Sequence, residues 1–214
     1  MCPPGEHPKS LTWRCVVAIL AGRKTQLRQA IDPQPPDGAQ VSGVDEDGRL
    51  HWTLGGGGGA ECPMGRPGHR LWVREPWAGP ARLDGDPNRA RLLLRYRAGE
   101  KARPSDLSSD TVVWRPAAEM PRWASRLTLE VLELRAQRIQ GIGSEDLQAE
   151  GGMWRTGDDS VSAEADREAF GRWWTEVNPE SRFAWDQDPW VWVVRFRRLA
   201  LSGREAGPPK AGTP

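Results

Sequence analysis

Short strands out of step with three short helices predict an α+β chain, a small mixed β-barrel with helices plugging its ends. Three observations carry that expectation. The 214 residues suffice for one good core with decoration, not for a second full domain. Apolar residues alternate over "RLWVREPW" and "PWVWVVRFRRL" but recur at helical spacing over "AEADREAFGRWWTEVN". No regular strand–helix–strand rhythm and no internal repeat runs along the chain.

Residues 1–10 are polar and Pro-containing and read as a disordered tail, so a single domain is expected over 11–200. "VVAILA" reads as a short helix that Gly22 closes. The stretch 32–64 holds "DPQPPDG" and "GGGGG" and reads as a flexible insertion. Its five glycines lack the strand before and the Lys-Ser/Thr after that a phosphate loop needs, which leaves a linker. "RLWVREPW" follows the turn "GRPGH" and runs as a strand until Pro76 stops it, and "VVWRP" is a second short strand. "SRLTLEVLEL" puts Leu127, Leu129 and Val131 on one face; Leu132 and Leu134 then switch phase, which predicts a bulge. "GSEDLQAEG" reads as a short helix with Ser144 as its N-cap and Gly151 as its stop. In "AEADREAFGRWWTEVN", Phe170, Trp173, Trp174 and Val177 form a core stripe that Asn178-Pro179 ends. "PWVWVVRFRRL" is a strand with one buried face, and 201–214 is expected to be a disordered tail.

A net charge of +1 provides no global field for tracking a polyanion, so any nucleic-acid contact is local. There are 12 tryptophans, and of the 30 basic residues only Lys9, Lys24, Lys101 and Lys210 are lysines. GC-rich coding accounts for both biases. Lys9 and Lys210 fall in the tails and Lys101 in a polar loop, which leaves Lys24 in an ordered segment. Cys2, Cys15 and Cys62 are odd in number and widely spaced, which argues against a disulfide framework and for a reducing compartment. The scattered histidines, His7, His51 and His69, show no zinc spacing, and a Cys62–His69 chelate is a remote option, so no metal and no cofactor is implied. "CVVAILAG" is too short to span a bilayer and has no signal-peptide pattern, so a cytoplasmic protein with no membrane partner is expected.

The motifs "ILAGRKTQLR", "CPMGRPGHRLWVRE", "MPRWASRLTLEV", "IGSEDLQAEG" and "DPWVWVVRFRR", in this order, resemble the ASCH-domain proteins of the PUA-like superfamily, the phage and prophage-encoded branch above all. The resemblance implies a PUA-like β-barrel whose cleft faces RNA or a nucleotide base. One relative type, small bacterial amidohydrolases, removes the acetyl group of N(4)-acetylcytidine with a lysine and a threonine of G-x-K-x-x-T plus a glutamate. The lysine matches Lys24 and the glutamate matches Glu150. Leu27 occupies the threonine position, and leucine cannot attack a carbonyl; Thr25 is the nearest hydroxyl. His69 stands where relatives commonly carry an acidic residue.

Each candidate has an ordinary reading beside the functional one. Arg23 and Lys24 past a helix end complement its dipole for about 0.3–1 kcal/mol; alternatively Lys24 faces a cleft as a base or oxyanion partner. Glu150 is either a solvated carboxylate or the group that protonates a departing amine. "PRWASR" offers Arg122 and Arg126 to phosphate, Trp123 to a stacked base and Ser125 to a base edge, unless Trp123 simply closes the barrel. Arg74 and Glu75 form a local ion pair or line the same cleft, and Arg28 borders it. The resulting expectation is a module binding RNA or a modified nucleoside, with Lys24, Thr25 and Glu150 as its reactive corner. An amidohydrolase and a ribonuclease are the enzymatic alternatives.

Overall fold

The computed structural model describes residues 5–53, 57–79, 94–99, 114–155 and 162–199. In chain order these form β1 (Glu6–Ser10), α1 (Trp13–Leu20), β2 (Gln26–Ala30), β3 (Gln40–Val44), β4 (Arg49–Thr53) and β5 (Gly58–Glu61). There follow β6 (Arg70–Arg74), β7 (Trp77–Ala78), β8 (Arg95–Tyr96), β9 (Thr128–Arg138), α2 (Ser144–Ala149), α3 (Ala163–Val177) and β10 (Trp190–Arg198). The α+β class is as expected.

The main sheet has the order β1-β6-β9-β10-β2, with β1 parallel to β6 and every other neighbour antiparallel. It is not a closed barrel: among the described residues, the edge strands β1 and β2 share no ladder. They nevertheless meet, because Lys9 Nζ donates to Gln29 Oε1 at 2.5 Å. Four strand spacings of about 4.8 Å would hold these edges about 19 Å apart in a flat sheet. The sheet therefore curls until side chains, not backbone, bridge its seam.

Two stretches expected to be loose are ordered here. Residues 6–10 form β1, where Pro8, which has no N–H, is tolerated because the strand is an edge. A five-residue strand paired with a partner 64 positions away leaves no periodic trace. Within 32–64, β3, β4 and β5 form an antiparallel meander. Alternation in "RLHWT" buries Leu50 and Trp52, and Ala60, Cys62 and Met64 join them in the main core. Part of the glycine run is a surface for Trp52, since a Cβ on Gly58 would lie 2.5 Å from the indole nitrogen. Residues 1–4, 54–56, 200 and the 201–214 tail lie outside the described residues, as do Val112 and Val113 of the second predicted strand; Arg115 bridges to Trp77.

Local details follow the chemistry of the sequence, with three shifts. Helix α1 starts at Trp13, earlier than the apolar pattern suggested, because the Thr12 side chain caps it by accepting from Cys15 N. Gly143, not Ser144, is the N-cap of α2, and no side chain caps that end. In β10, Val191 to Val194 are all buried, a continuous run that marks a strand covered on both faces at the sheet's interior. The phase switch in β9 is a bulge: Phe196 pairs with Val131 and Arg195 with Glu133, and the skipped Leu132 faces solvent. Among the described residues, no helix is long and apolar enough to cross a membrane.

The turn before β6 joins the start of β1 through a histidine pair, His7 Nε2 and His69 Nδ1 at 3.0 Å, with rings stacked 5.2 Å apart. Burial, then the charges of His7 and Arg66, pull His69 below its ordinary 6.5. A histidine depressed in the folded state binds fewer protons than in the unfolded chain. Its stabilising contribution is therefore present above pH 6.5 and lost as pH falls through the folded pKa. Urea midpoints are expected to drop from pH 7 to about pH 5, and His69→Asn should flatten that slope. Burial pushes the Cys62 thiol up to about 11. His69 is partnered by His7.

Candidate functional site

The seam between β1 and β2 is hollow. A cavity of about 190 Å³ is lined by Lys9, Ser10 and Leu11 on one edge and by Leu27, Arg28 and Gln29 on the other. Thr12 and Cys15 enter from α1, Lys24 and Glu150 from the loops behind, and Trp173, Trp174, Val177 and Asn178 from α3. That volume is below the 300–1,000 Å³ or so of drug-sized pockets and suits one planar ring.

Lys24 is held by backbone on both sides. Gly22 takes a positive φ of 73°, which turns the chain so that Arg23 N and Lys24 N both donate to Ala18 O of α1. Thr25 N then donates to Ala149 O at the end of α2, and Thr25 O accepts from Phe196 N of β10. These anchors bring Lys24 against Glu150, the residue on which α2 terminates. Lys24 Nζ donates to Glu150 Oε2 at 2.5 Å and to Glu150 O at 3.2 Å. Both residues are almost wholly buried, at 2 % and 1 % exposure.

Glu150 has a second cation. Arg28 donates to Glu150 Oε1 at 2.7 Å and, through its other terminal nitrogen, to Asp146 Oδ2 at 2.7 Å. Asp146 also accepts from Arg135 and from Gln26. Burial works against ionisation of Asp146, but hydrogen bonds from Arg135 and the charges of Arg28 and Arg135 outweigh it and hold the carboxyl below its usual range. The chain Lys24–Glu150–Arg28–Asp146–Arg135 thus alternates in sign from the cavity to the surface.

Donor accounting shows what remains for a ligand. A lysine ammonium has three N–H donors, and two of Lys24's are used within the pair. Each Glu150 oxygen receives one side-chain donor, from Lys24 or Arg28, which leaves a lone pair on each. The Arg28 Nε–H is buried and has no partner among the described residues. One open donor beside open acceptors, in a cavity that tryptophans also line, is the complement of a base or amide edge. The wall is rigid: Trp173 packs on Trp154 and Phe170, and Asp166 fixes that group through Trp154 Nε1 at 2.7 Å and Arg155 at 2.8 Å.

The predicted residues divide into two places. Lys24, Arg28 and Glu150 share the cavity. Thr25 does not: its side chain is exposed, because the backbone that fixes Lys24 inward turns its neighbour outward, so it is no substitute nucleophile. Leu27 is buried and lines the cavity at the position where the threonine was expected. The remaining candidates do not line it. Glu75 is buried and forks to Arg126 at 2.8 and 3.0 Å, and Arg126 lies 4.1 Å over the Tyr96 ring. Arg122 pairs with Glu6, and with Arg74 it flanks the Trp72 ring. Trp123 meets Trp77 edge-on within a small second apolar cluster, and the Ser125 hydroxyl donates to Val73 O.

Of the cavity residues that sequence reasoning misses, two bear on the chemistry. Trp173 has the same core spacing as Trp174, which also lines the cavity, and is the half-exposed one of the two. Lys9 lies in ordered β1 and not in a tail, and its rarity as a lysine is the signal in the sequence that points to it. Among the described residues, no three histidine, cysteine or acidic side chains gather as a metal site. No protein-family model, no curated protein and no solved structure matches the chain.

Proposed function

We propose that this chain is an ASCH-like, PUA-like domain that binds a base of RNA or of a modified nucleoside in the seam cavity. The observation that supports this reading is the buried Lys24–Glu150 pair lining, together with Trp173, one hollow of about 190 Å³. In this reading the spare Lys24 N–H donates to a base carbonyl and a Glu150 oxygen accepts from an exocyclic amine. Trp173 and Leu27 cover the ring. A stacked base is worth about 1–3 kcal/mol, so Trp173→Ala should weaken cytidine binding about fivefold to a hundredfold. Calorimetric titration of cytidine and N(4)-acetylcytidine into wild type and Trp173→Ala tests it, and equal affinities in both proteins would overturn the reading. Arg122→Ala and Trp123→Ala, which alter residues outside the cavity, should leave these affinities within about twofold.

Leu27 favours a second reading, a deacylating amidohydrolase. Lys24 and Glu150 are a carbonyl-polarising group and a proton carrier in reach of one another, and only the hydroxyl nucleophile is missing. Because Leu27 lines the cavity, Leu27→Thr delivers a hydroxyl to it without moving the backbone. We expect wild type to release no cytidine from N(4)-acetylcytidine and Leu27→Thr to gain release, read by chromatography. Turnover by wild type would replace the binding reading with the enzymatic one, water then serving as nucleophile. A ribonuclease has no further support, and cleavage of labelled RNA in chelator would be its signature.

A further inference from the structure

The cavity carries one charged group that the base-binding scheme does not use. Lys9 enters from β1, and its ammonium donates to the neutral Gln29 Oε1 at 2.5 Å. No carboxylate among the described residues lies within ion-pair distance of it. Glu150, the acid that shares the cavity, is already divided between Lys24 and Arg28. Glu150 and Asp146 offset Lys24 and Arg28, which leaves Lys9 as the charge of the lining without a carboxylate partner among the described residues, and the Arg28 Nε–H adds a buried donor with no acceptor among them. Groups arranged like this lack an acceptor that carries negative charge.

Resting on the base-binding reading, we infer that the seam cavity contains an oxyanion subsite built on Lys9, so that the ligand is a nucleotide and not a bare nucleoside. Its phosphate lies toward β1 and Gln29, and its base lies between Lys24–Glu150 and Trp173. Charge-assisted hydrogen bonds to phosphate oxygens are the strong ones, and an ammonium without a counter-ion in a partly apolar hollow gains most from them. Burial brings Lys9 down to about 8, against its other neighbours Cys62, Cys15, Lys24 and Glu150, of which only Lys24 adds to the lowering. An incoming oxyanion reverses that loss. The same chemistry comes from two sources, a terminal phosphate monoester or the diester link of an RNA strand.

Calorimetric titration of the full chain with cytidine, cytidine 5′-monophosphate and the dinucleotide CpC tests the inference. A hydrogen bond to a charged group is worth about 1.5–3 kcal/mol, so a phosphate-bearing ligand should bind about tenfold or more tighter than cytidine. In Lys9→Met, which keeps the stem and removes the charge, that gap should close, and Lys9→Arg should restore most of it. Inorganic phosphate should compete with the tighter ligand in wild type and not in Lys9→Met. A tighter monophosphate assigns a free nucleotide, and a tighter CpC assigns an RNA strand. If cytidine binds as well as both phosphorylated ligands, or if the gap persists in Lys9→Met, the subsite is overturned while base binding stands. If nothing binds, base binding fails and takes the subsite with it.

Discussion

Glu150→Ala is expected to destabilise the fold by about 3–5 kcal/mol, the usual cost of removing one member of a buried ion pair. The carboxylate neutralises two cations, Lys24 and Arg28, whose side chains are 2 % and 1 % exposed. Its loss leaves Lys24 with only the backbone carbonyl of residue 150 and Arg28 with only Asp146 as charge partner. Lys24→Met should cost clearly less, because Glu150 then keeps Arg28 and the methionine stem fills the vacated space. This ordering follows from the alternating chain of charges and from nothing in composition. Urea unfolding with linear extrapolation measures it. Whole-domain stabilities run about 5–15 kcal/mol, so at the lower end of that range the alanine variant gives no folded baseline. The double variant Lys24→Met/Glu150→Leu removes both charges together and should recover a good part of the loss. If Glu150→Ala stays within about 1 kcal/mol of wild type, or if Lys24→Met is the worse of the two, the pair is not the buried link described here.

Those elements whose signal is local were legible in the sequence. The bulge in β9 was visible because a phase change in an alternating strand has one cheap solution, to skip a residue and let it face solvent, and Leu132 does so. Gly22 and Gly151 were visible as helix stops because both sit at positive φ. The Lys24–Glu150 meeting, 126 residues apart, came from motif resemblance alone; periodicity carries no information about it. What the sequence hid was non-local. β1 is ordered by pairing with β6, and the β3–β5 meander by burying Leu50 and Trp52 in a core assembled from distant segments. Both were judged by composition, which measures what a segment can bury alone and not what a neighbour lends it. Because Lys9 lies on β1, that one error also hid the cavity's second ammonium. That Trp173 and Trp174 both line the cavity was out of reach for a related reason. Adjacent helical positions point about 100° apart, and which side of the helix meets a gap depends on where the sheet edges stop.

Gly151→Ala should disrupt the cavity although it removes no polar group. Gly151 follows Glu150 with φ at 89°, a conformation that costs a residue with a Cβ about 1–3 kcal/mol. An added Cβ would also lie 2.9 Å from Lys24 Cβ and 3.2 Å from both Lys24 Cα and Ala18 Cβ. The Lys24 backbone cannot retreat cheaply, since its N–H and that of Arg23 are bound to Ala18 O and Thr25 is bound to both α2 and β10. Overpacking a fixed site adds about 1–3 kcal/mol, so a total of about 2–6 kcal/mol is expected. The strain falls on the backbone that aims Lys24 at Glu150, so cytidine binding should be lost even in protein that still folds. Gly152→Ala is the control. It shares a positive φ, 65°, but its nearest neighbours would be the flexible Arg155 side chain, so it carries the conformational cost without the push on Lys24. Unfolding free energies and cytidine titrations on the two variants separate strain from displacement. Equal binding by both would mean that glycine at 151 serves only to end a helix, and that the close approach to Lys24 has no part in shaping the site.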